Sequence, residues 1–181
     1  MHPRERVGLA CQRWGDAEVL RRVGETLRSL DRPVSGDARE LALFLGQRQH
    51  DPTWLDGGKP PGHAYWARVW SARALLYLWH DDLGPDVTRA LRDEHWRVRE
   101  MALKVVVVRE IGCADVLGPL VSDDVPRMRA STARALGVVG EAEHAVWLRE
   151  LADDGDPAVA RAADRALAQL SRRVDRDLSH P

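Results

Sequence analysis

The sequence has few of the residues and motifs that identify enzymes and metal-binding proteins. It has only two cysteines, Cys11 and Cys113, and neither has a CxxC partner, so we expect free thiols rather than a disulfide, redox or zinc site. It contains no HExxH, GxxxxGK(S/T), GxSxG or GxGxxG motif, and its GGKPPG segment has the wrong spacing for a phosphate loop. The histidines lack the i, i+4 pairs typical of metal ligands. These absences predict a protein that is not an enzyme and has no catalytic residue, cofactor or metal site.

Long apolar runs and an excess of one charge are also missing. The first residues, MHPRERVGLACQRW, contain no apolar run of secretory type, and no stretch approaches the roughly 18 apolar residues of a membrane span. We therefore expect a cytoplasmic protein that does not enter membranes. The 27 basic residues nearly balance the 28 acidic residues, which argues against a dedicated nucleic-acid or membrane-surface protein. Only Lys59 and Lys104 are lysines, so the positive charge is almost entirely arginine.

A helical pattern returns about every thirty residues. The segments WRVREMALKVV, PRMRASTARAL and PAVARAADRAL superpose on Val98, Met128 and Val159, which are 30 and 31 residues apart. A two-helix unit cannot bury its apolar face alone, so this period indicates stacked helical pairs. Each pair is a short first helix, an acidic turn and a longer second helix. Four residues are interpreted as equivalent starts of second helices: Trp66, Trp96, Pro126 and Pro157.

The predicted organisation is a single all-α domain over residues 1–171, followed by a charged tail over 172–181 that we expect to fray. Residues 64–171 hold the repeats. Residues 1–63 hold three divergent amphipathic helices, which end in a loop rich in proline and glycine over 51–63. Pro119 falls inside one of the predicted first helices, where it predicts a kink.

These segments resemble the HEAT-repeat family, especially the short bacterial repeats also described as phycobilisome-lyase-like. The segment DDVPRMRASTARALGVVGEAEHAVWLREL carries the acidic turn, the arginine and the Ala-Leu-Gly and Gly-Glu elements, and DEHWRVREMALKVV matches well. DGDPAVARAADRALAQL has Ala160 where arginine is usual. The resemblance covers about residues 90–171, more weakly 64–89 and hardly 1–63. It implies a right-handed α-solenoid of about six helix pairs or fewer, and it implies no chemistry.

In that family the acidic turn residue and the arginine at the next helix start form a ladder between neighbouring repeats. The matching positions here are Asp93, Asp123, Asp154, Arg99 and Arg129. A planar guanidinium matches the geometry of a carboxylate, so we expect the ladder to set the register of the repeats. Ala160 indicates that the ladder ends at the last repeat.

The second helices have a predicted core face and a predicted basic face. Residues on the same helical side as Val98, Met128 and Val159 form the core face: Ala102, Val105, Val106, Thr132, Ala135, Leu136, Ala163, Ala166 and Leu167. The opposite side holds Arg97, Glu100, Lys104, Arg127, Arg134, Arg161 and Arg165. The second helix of a HEAT pair normally lines the inner curve, so this row predicts a basic concave groove; the alternative is an ordinary solvated face.

The helix YWARVWSARALLYLWHDD differs, because its equivalent face carries Trp66, Trp70, Arg73 and Tyr77 at helical spacing. Together with Arg97, Glu100 and Lys104 these residues predict an aromatic pocket with a polar edge, which suits a ligand or a peptide anchor. The alternative is that the aromatic side chains pack against the first three helices.

The functional prediction is a non-catalytic binding or scaffold protein that presents this aromatic and basic groove. The predicted binding residues are Trp66, Trp70, Arg73, Tyr77, Arg97, Glu100, Lys104, Arg134 and Arg165. A protein or peptide partner is favoured. One alternative is a nucleic-acid-binding protein related to the HEAT-like DNA-alkylation-repair glycosylases, although no catalytic aspartate matches by motif. Another is a small-molecule or pigment-handling accessory factor.

Overall fold

The computed structural model describes residues 1–29, 32–46, 55 and 63–178, and its regular secondary structure in these ranges is helical. Its α-helices are α1 (Pro3–Trp14), α2 (Asp16–Arg28), α3 (Gly36–Gly46), α4 (Tyr65–Ala74), α5 (Gly84–Ala90), α6 (Trp96–Arg109), α7 (Gly118–Val121), α8 (Pro126–Val139), α9 (Ala145–Ala152) and α10 (Pro157–Arg173). Short 3-10 turns precede α5, α7 and α9, at Asp81–Leu83, Ala114–Leu117 and Ala142–His144. These ranges contain no β-strand, so the all-α prediction is confirmed. The predicted loop over 51–63 lies outside the described residues, apart from Leu55 and His63.

The chain forms two compact units, Met1–Ala102 and Leu103–Pro181, and the boundary between them falls within α6. In the first unit α1, α2 and α3 pack against one another, α4 packs against all three, and α5 packs against α2. In the second unit α8, α9 and α10 pack against one another. Among the described helices, none is long and apolar enough to cross a membrane.

The second helices begin at nearly equal intervals. Their first residues are 31, 30 and 31 positions apart: Tyr65, Trp96, Pro126 and Pro157. Proline is tolerated there because the first amide of a helix needs no acceptor within the helix. The predicted equivalence of Trp66 with Trp96 is wrong by one residue, since α4 begins at Tyr65. In the corrected register Ala67 matches the three buried alignment residues, and all four are 0% exposed: Ala67, Val98, Met128 and Val159.

The acidic turns before the second helices repeat the same hydrogen bonds. The Oδ1 atoms of Asp93, Asp123 and Asp154 accept from the backbone N–H two residues later, at 2.9, 3.0 and 2.8 Å. Arg99 donates to the carbonyl oxygen of Asp93 at 2.9 Å, and Arg129 donates to that of Asp123 at the same distance. An aspartate that binds its own backbone two residues on makes a tight turn. The backbone therefore makes the same hydrogen-bonded turn before each of these second helices.

Two of the aspartates also form bidentate ion pairs with arginines that precede them by 25 residues. Arg129 Nε lies 2.5 Å from Asp154 Oδ2 and Nη2 lies 2.9 Å from Oδ1, which confirms one predicted rung of the ladder. Arg68 binds Asp93 in the same way, at 2.6 and 3.1 Å, and both of these side chains are 2% exposed. The second rung was not predicted, because the one-residue register error hid the correspondence of Arg68 with Arg129.

The predicted core face is confirmed, since all nine of its residues are buried. Gly137, from the Ala-Leu-Gly element, shows why a glycine stands there. A Cβ at this position would lie 3.0 Å from both the Cα and the Cβ of Ala166, so α8 and α10 approach each other too closely for a side chain. Glycine at this position permits close helix packing.

Two expectations about chain geometry are wrong. Pro119 lies in the first turn of α7, after a 3-10 turn, so it begins a helix instead of kinking a longer one. Residues 174–178 are not frayed: Arg149 Nη1 donates to the carbonyl oxygen of Leu178 at 2.8 Å, and Leu178 is 5% exposed. Burial of this leucine draws the end of the described chain back onto the second unit.

The core of α8 gives a simple stability prediction. Leu136→Ala should lower the free energy of unfolding by about 2 to 5 kcal/mol, because Leu136 is fully buried and its truncation leaves a cavity. Val146→Ala is the control, since Val146 is 54% exposed and should change stability by less than about 0.5 kcal/mol. Denaturant unfolding measures both variants. Similar losses in the two would contradict the assigned core.

The buried ion pair between Arg68 and Asp93 predicts a large loss of stability when one partner is removed. Asp93→Ala should cost about 3 to 5 kcal/mol, because it removes the bidentate partner of the buried Arg68 guanidinium, and the exposed carboxylate of Glu94, 3.7 Å from Nη2, is a weak substitute. Exposed Asp124→Ala is the matched control and should be nearly neutral. Combining Asp93→Ala with Arg68→Met should recover part of the loss in a double-mutant cycle. Strictly additive losses would show that the pair is not coupled.

Candidate functional site

Six side chains, three from α4 and three at the start of α6, form one cluster in the first unit, which we call the aromatic cluster. Its members are Tyr65, Trp66, Trp70, His95, Trp96 and Arg97. The Tyr65 and His95 rings stack face to face with their centroids 3.4 Å apart and their planes 8° apart. Trp66 stacks with Tyr65 at 5.3 Å and with Trp70 at 6.0 Å. The rings of His95 and Trp96 lie 6.3 Å apart.

The guanidinium of Arg97 completes the cluster. Its Cζ lies over both indole rings, 4.5 Å from the centroid of Trp96 and 5.6 Å from that of Trp66. A cation over the face of an indole is attracted by the negative charge of the ring face. Two ring faces from different helices therefore orient one arginine.

The buried rung positions this cluster. Asp93 binds Arg68 of α4 with both oxygens, and its Oδ1 also accepts from the backbone N–H of His95 at 2.9 Å. The His95 ring then accepts from the backbone N–H of Arg97 at 3.2 Å through Nδ1, which satisfies one of the free amides at the start of α6. One carboxylate therefore ties the start of α6 to α4, which brings the His95 ring opposite Tyr65.

His95 is held in its neutral form. Burial lowers its pKa below the ordinary 6.5, and the positive charges of Arg97, Arg68 and Arg99 lower it further, while Asp93 opposes them. Because Nδ1 accepts a hydrogen bond, the neutral ring carries its proton on Nε2. A neutral imidazole suits close stacking on a phenol and leaves Arg97 as the exposed charge of the cluster.

The aromatic cluster offers hydrogen-bond donors to solvent. Arg97 is exposed, and its guanidinium has no hydrogen bond or salt bridge to any residue in the described ranges. The indole N–H groups of half-buried Trp66 and Trp96 likewise have no acceptor there. The surface therefore combines flat apolar rings with unused donors, and it fits a partner that brings carboxylates or carbonyl oxygens.

The structure separates the predicted binding residues of α4. Trp66 belongs to the aromatic cluster and is partly accessible. Trp70 is only 4% exposed, and a Cβ at Gly46 of α3 would overlap its ring, so the packing alternative is confirmed for this residue. Arg73 is half-buried. Tyr77 lies three residues after the end of α4 and is 36% exposed, and its ring meets that of His2, the N-cap residue of α1, at 5.9 Å.

Glu100 does not point outward as predicted. It is 7% exposed, and the equivalent positions in α4 and α8, Val69 and Ala130, are each 4% exposed. Residues at this helical position are therefore packed in α4, α6 and α8. The exposed face of these helices is narrower than the sequence predicted. Only in α10, the last described helix, is the equivalent residue Arg161 exposed.

The remaining predicted binding residues belong to the second unit. Lys104, Arg134 and Arg165 are exposed, and they stand at the same helical position as Arg73, at successive separations of 31, 30 and 31 residues. The cation therefore repeats in all four second helices. A single groove that joins the nine predicted residues stays a prediction.

Sequence reasoning missed Tyr65 and His95 and used Trp96 only to mark a helix start. The signal for Tyr65 and Trp96 was their shared position as first residues of second helices, and His95 precedes one of them directly. The alignment of Trp66 with Trp96 concealed the shared position of Tyr65 and Trp96. The correct alignment follows from the 25-residue spacing between arginine and aspartate, which Arg68 and Arg129 share.

The described residues were compared with the requirements of a metal site and of a reactive thiol. They contain no group of three or more histidine, cysteine and acidic residues that could hold a metal ion. Burial raises the pKa of Cys11 to about 11, and the hydrogen bond with Asp16 acts in the same direction, so this sulfur remains a poorly reactive thiol at neutral pH. Among known proteins, neither a family model nor a curated relative matches the sequence.

The neutral state of His95 predicts a pH dependence. Since the pKa of His95 is lower in the folded protein than in the unfolded chain, protonation favours unfolding. The stabilising contribution of neutral His95 is complete above pH 6.5 and is lost as the pH falls towards the folded-state pKa. His95→Asn keeps a capping side chain but does not titrate.

Urea unfolding of the wild type and His95→Asn between pH 7.5 and 5 measures this contribution as a difference between variants, because the other six histidines are common to both. The wild type should lose more unfolding free energy than the variant over this range. Equal slopes, or a steeper slope for the variant, would contradict a depressed pKa at His95.

Proposed function

We propose that this protein is a non-catalytic binding protein of the HEAT-like α-solenoid type, and that its aromatic cluster binds an acidic segment of a partner protein. The observation that carries the proposal is the exposed guanidinium of Arg97, which two indole faces orient but no described carboxylate neutralises. A guanidinium oriented in this way presents a planar fork of donors that matches a carboxylate of a partner.

The solenoid part of the proposal is supported by repetition at three levels. The second helices start 31, 30 and 31 residues apart. The three acidic turns share one hydrogen-bond pattern. Each unit contains a bidentate arginine–aspartate pair of the same 25-residue separation. Stacked repeats with equivalent turns and equivalent cross-links are the defining construction of a solenoid.

A peptide fits the aromatic cluster better than a nucleic acid. Nucleic-acid affinity comes largely from several phosphate contacts, and this cluster contributes one exposed guanidinium, in a chain of net charge −1. Peptide recognition instead uses aromatic anchors for contact area and arginine for bidentate contact with a carboxylate. Stacked rings of fixed orientation lose little side-chain entropy when a partner binds.

The test is a selection of displayed random peptides on the purified wild-type protein, with counter-selection on Arg97→Ala. We expect the enriched peptides to contain Asp or Glu beside an apolar or aromatic residue. For a synthetic peptide of this type, Arg97→Ala and Trp96→Ala should each raise the Kd about tenfold or more, equivalent to about 1.4 kcal/mol. Arg92→Ala is the matched control, because Arg92 is another exposed arginine of the first unit.

Failure to enrich peptides that distinguish the wild type from Arg97→Ala would contradict the proposal. A parallel salt series with fluorescent duplex and single-stranded DNA examines the nucleic-acid alternative. Binding that weakens steeply with salt and requires Arg134 and Arg165 would replace the peptide proposal and would justify an assay of glycosylase activity.

A further inference from the structure

The side of α8 that packs against α10 has an exposed counterpart on α10 itself. A Cβ at Gly137 would lie 3.0 Å from the Cα of Ala166, so this side of α8 faces α10. Ala133 and Ala130 precede Gly137 by four and seven residues, lie on the same side of α8 and are buried. The equivalent residues of α10, which follow by 31 positions, are all exposed: Arg161, Asp164 and Ala168. The side that is packed in α8 is therefore presented to solvent in α10.

This side of α10 borders an open groove of about 640 Å³ in the second unit. The groove is lined by the last turns of α10 and by the residues that follow the helix, which include Asp164, Ala168, Arg172 and Asp175. The chain turns back after α10, since Asp175 has a φ of 51° and the backbone N–H of Leu178 donates to Ser171 Oγ at 3.2 Å. This turn brings Asp175 to the same groove as Asp164.

Charged residues are placed symmetrically about Ala168. Arg161 and Asp175 lie seven residues before and after it. Asp164 and Arg172 lie four residues before and after it. Offsets of four and seven residues return to the same side of a helix, so the order along this side is positive, negative, small, positive, negative. None of the four charged residues forms an ion pair with a residue that the structure describes.

An antiparallel copy of the same helix matches this order. Where two antiparallel helices cross at the same residue, each position before that residue faces the position equally far after it on the other copy. Arg161 then faces Asp175 of the second copy, and Asp164 faces Arg172. Both pairings occur twice, because a two-fold interface repeats every contact. The small side chain of Ala168 at the crossing point allows the two helices to approach closely.

We propose that this groove face of α10, formed by Arg161, Asp164, Ala168, Arg172 and Asp175, binds a second copy of the same chain. The two helices run antiparallel, with Ala168 at the two-fold axis. Charge complementarity selects this occupant, since a partner of a single charge would leave half of these charges facing a like charge. This surface lies in the second unit, and it is independent of the function proposed for the aromatic cluster.

The proposed dimer should be weak and sensitive to salt. One helix pair buries less surface than the roughly 1,200 Å² of a stable interface, so we expect it to form only at high protein concentration. Ion pairs at the edge of such an interface are screened as the ionic strength rises. Sedimentation equilibrium from about 1 μM to about 1 mM protein, at low and high sodium chloride, measures the Kd.

The test uses two charge reversals, Asp164→Arg and Arg172→Asp. Each single variant places like charges opposite each other in its own dimer, and each should raise the Kd at least tenfold. An equimolar mixture of the two should associate as well as the wild type. In the mixture one chain supplies only positive charge at these two positions and the other supplies only negative charge. A loss of folding in either variant would not be reversed by mixing.

The matched control is Glu150→Arg, which makes the same reversal at an exposed position of α9 and should dimerise as the wild type does. A wild type that stays monomeric at every concentration would overturn the proposal, and the charged side of α10 would then be a solvated cap of the last described repeat. Equal association of the wild type and both single variants, or a mixture that associates no better than its components, would also overturn it.

Discussion

The ion pair between Arg68 and Asp93 is the contact on which the order of the first unit depends. Both side chains are 2% exposed, so neither charge has water as an alternative partner. A buried pair of this kind adds less to stability than its short distances suggest, because both ions must first be desolvated. Its main effect is on geometry: only one alignment of α4 with the start of α6 satisfies both oxygens of Asp93. The equivalent pair in the second unit, Arg129 with Asp154, performs the same role with a more accessible arginine.

The aromatic cluster follows from this constraint. Asp93 fixes the backbone of His95, and His95 fixes the first turn of α6, so the rings on either side of the pair stack at defined positions. Burial and three nearby arginines keep the imidazole neutral. The positive charge that remains accessible is that of Arg97, which lies over two indole faces. Here a structural cross-link and a candidate recognition surface share the same few residues, so a change in the first should disturb the second.

The sequence was sufficient to predict the helices and their spacing because apolar periodicity and acidic turns are local signals. The core face around Val98, Met128 and Val159 was predicted correctly for the same reason. The sides of a helix that contact other helices are not local. Glu100 therefore appeared to belong to an exposed stripe, although its helical position is packed, and Trp70 appeared to line a pocket, although its ring lies against Gly46. An error of one residue in α4 was enough to hide Tyr65 and Arg68, since neighbouring positions on a helix point about 100° apart.

Arginine accounts for almost all the positive charge of this chain, and its roles differ only by what surrounds the guanidinium. Arg68 is buried with a matching carboxylate, Arg97 is exposed over indole faces, and Arg73 is half-buried, where burial lowers its pKa. The repeat register separates them once it is aligned correctly, since Arg68 shares the position of Arg129 and Arg73 shares that of Arg134. The guanidinium is weakly hydrated and remains charged even when buried, so the fold can tolerate it where a lysine would lose its proton. An arginine whose guanidinium has no carboxylate partner among the described residues keeps its donors available to a carboxylate or phosphate of another molecule. For this reason we propose the partner site at Arg97, an exposed arginine without a described carboxylate partner, rather than at the paired arginines.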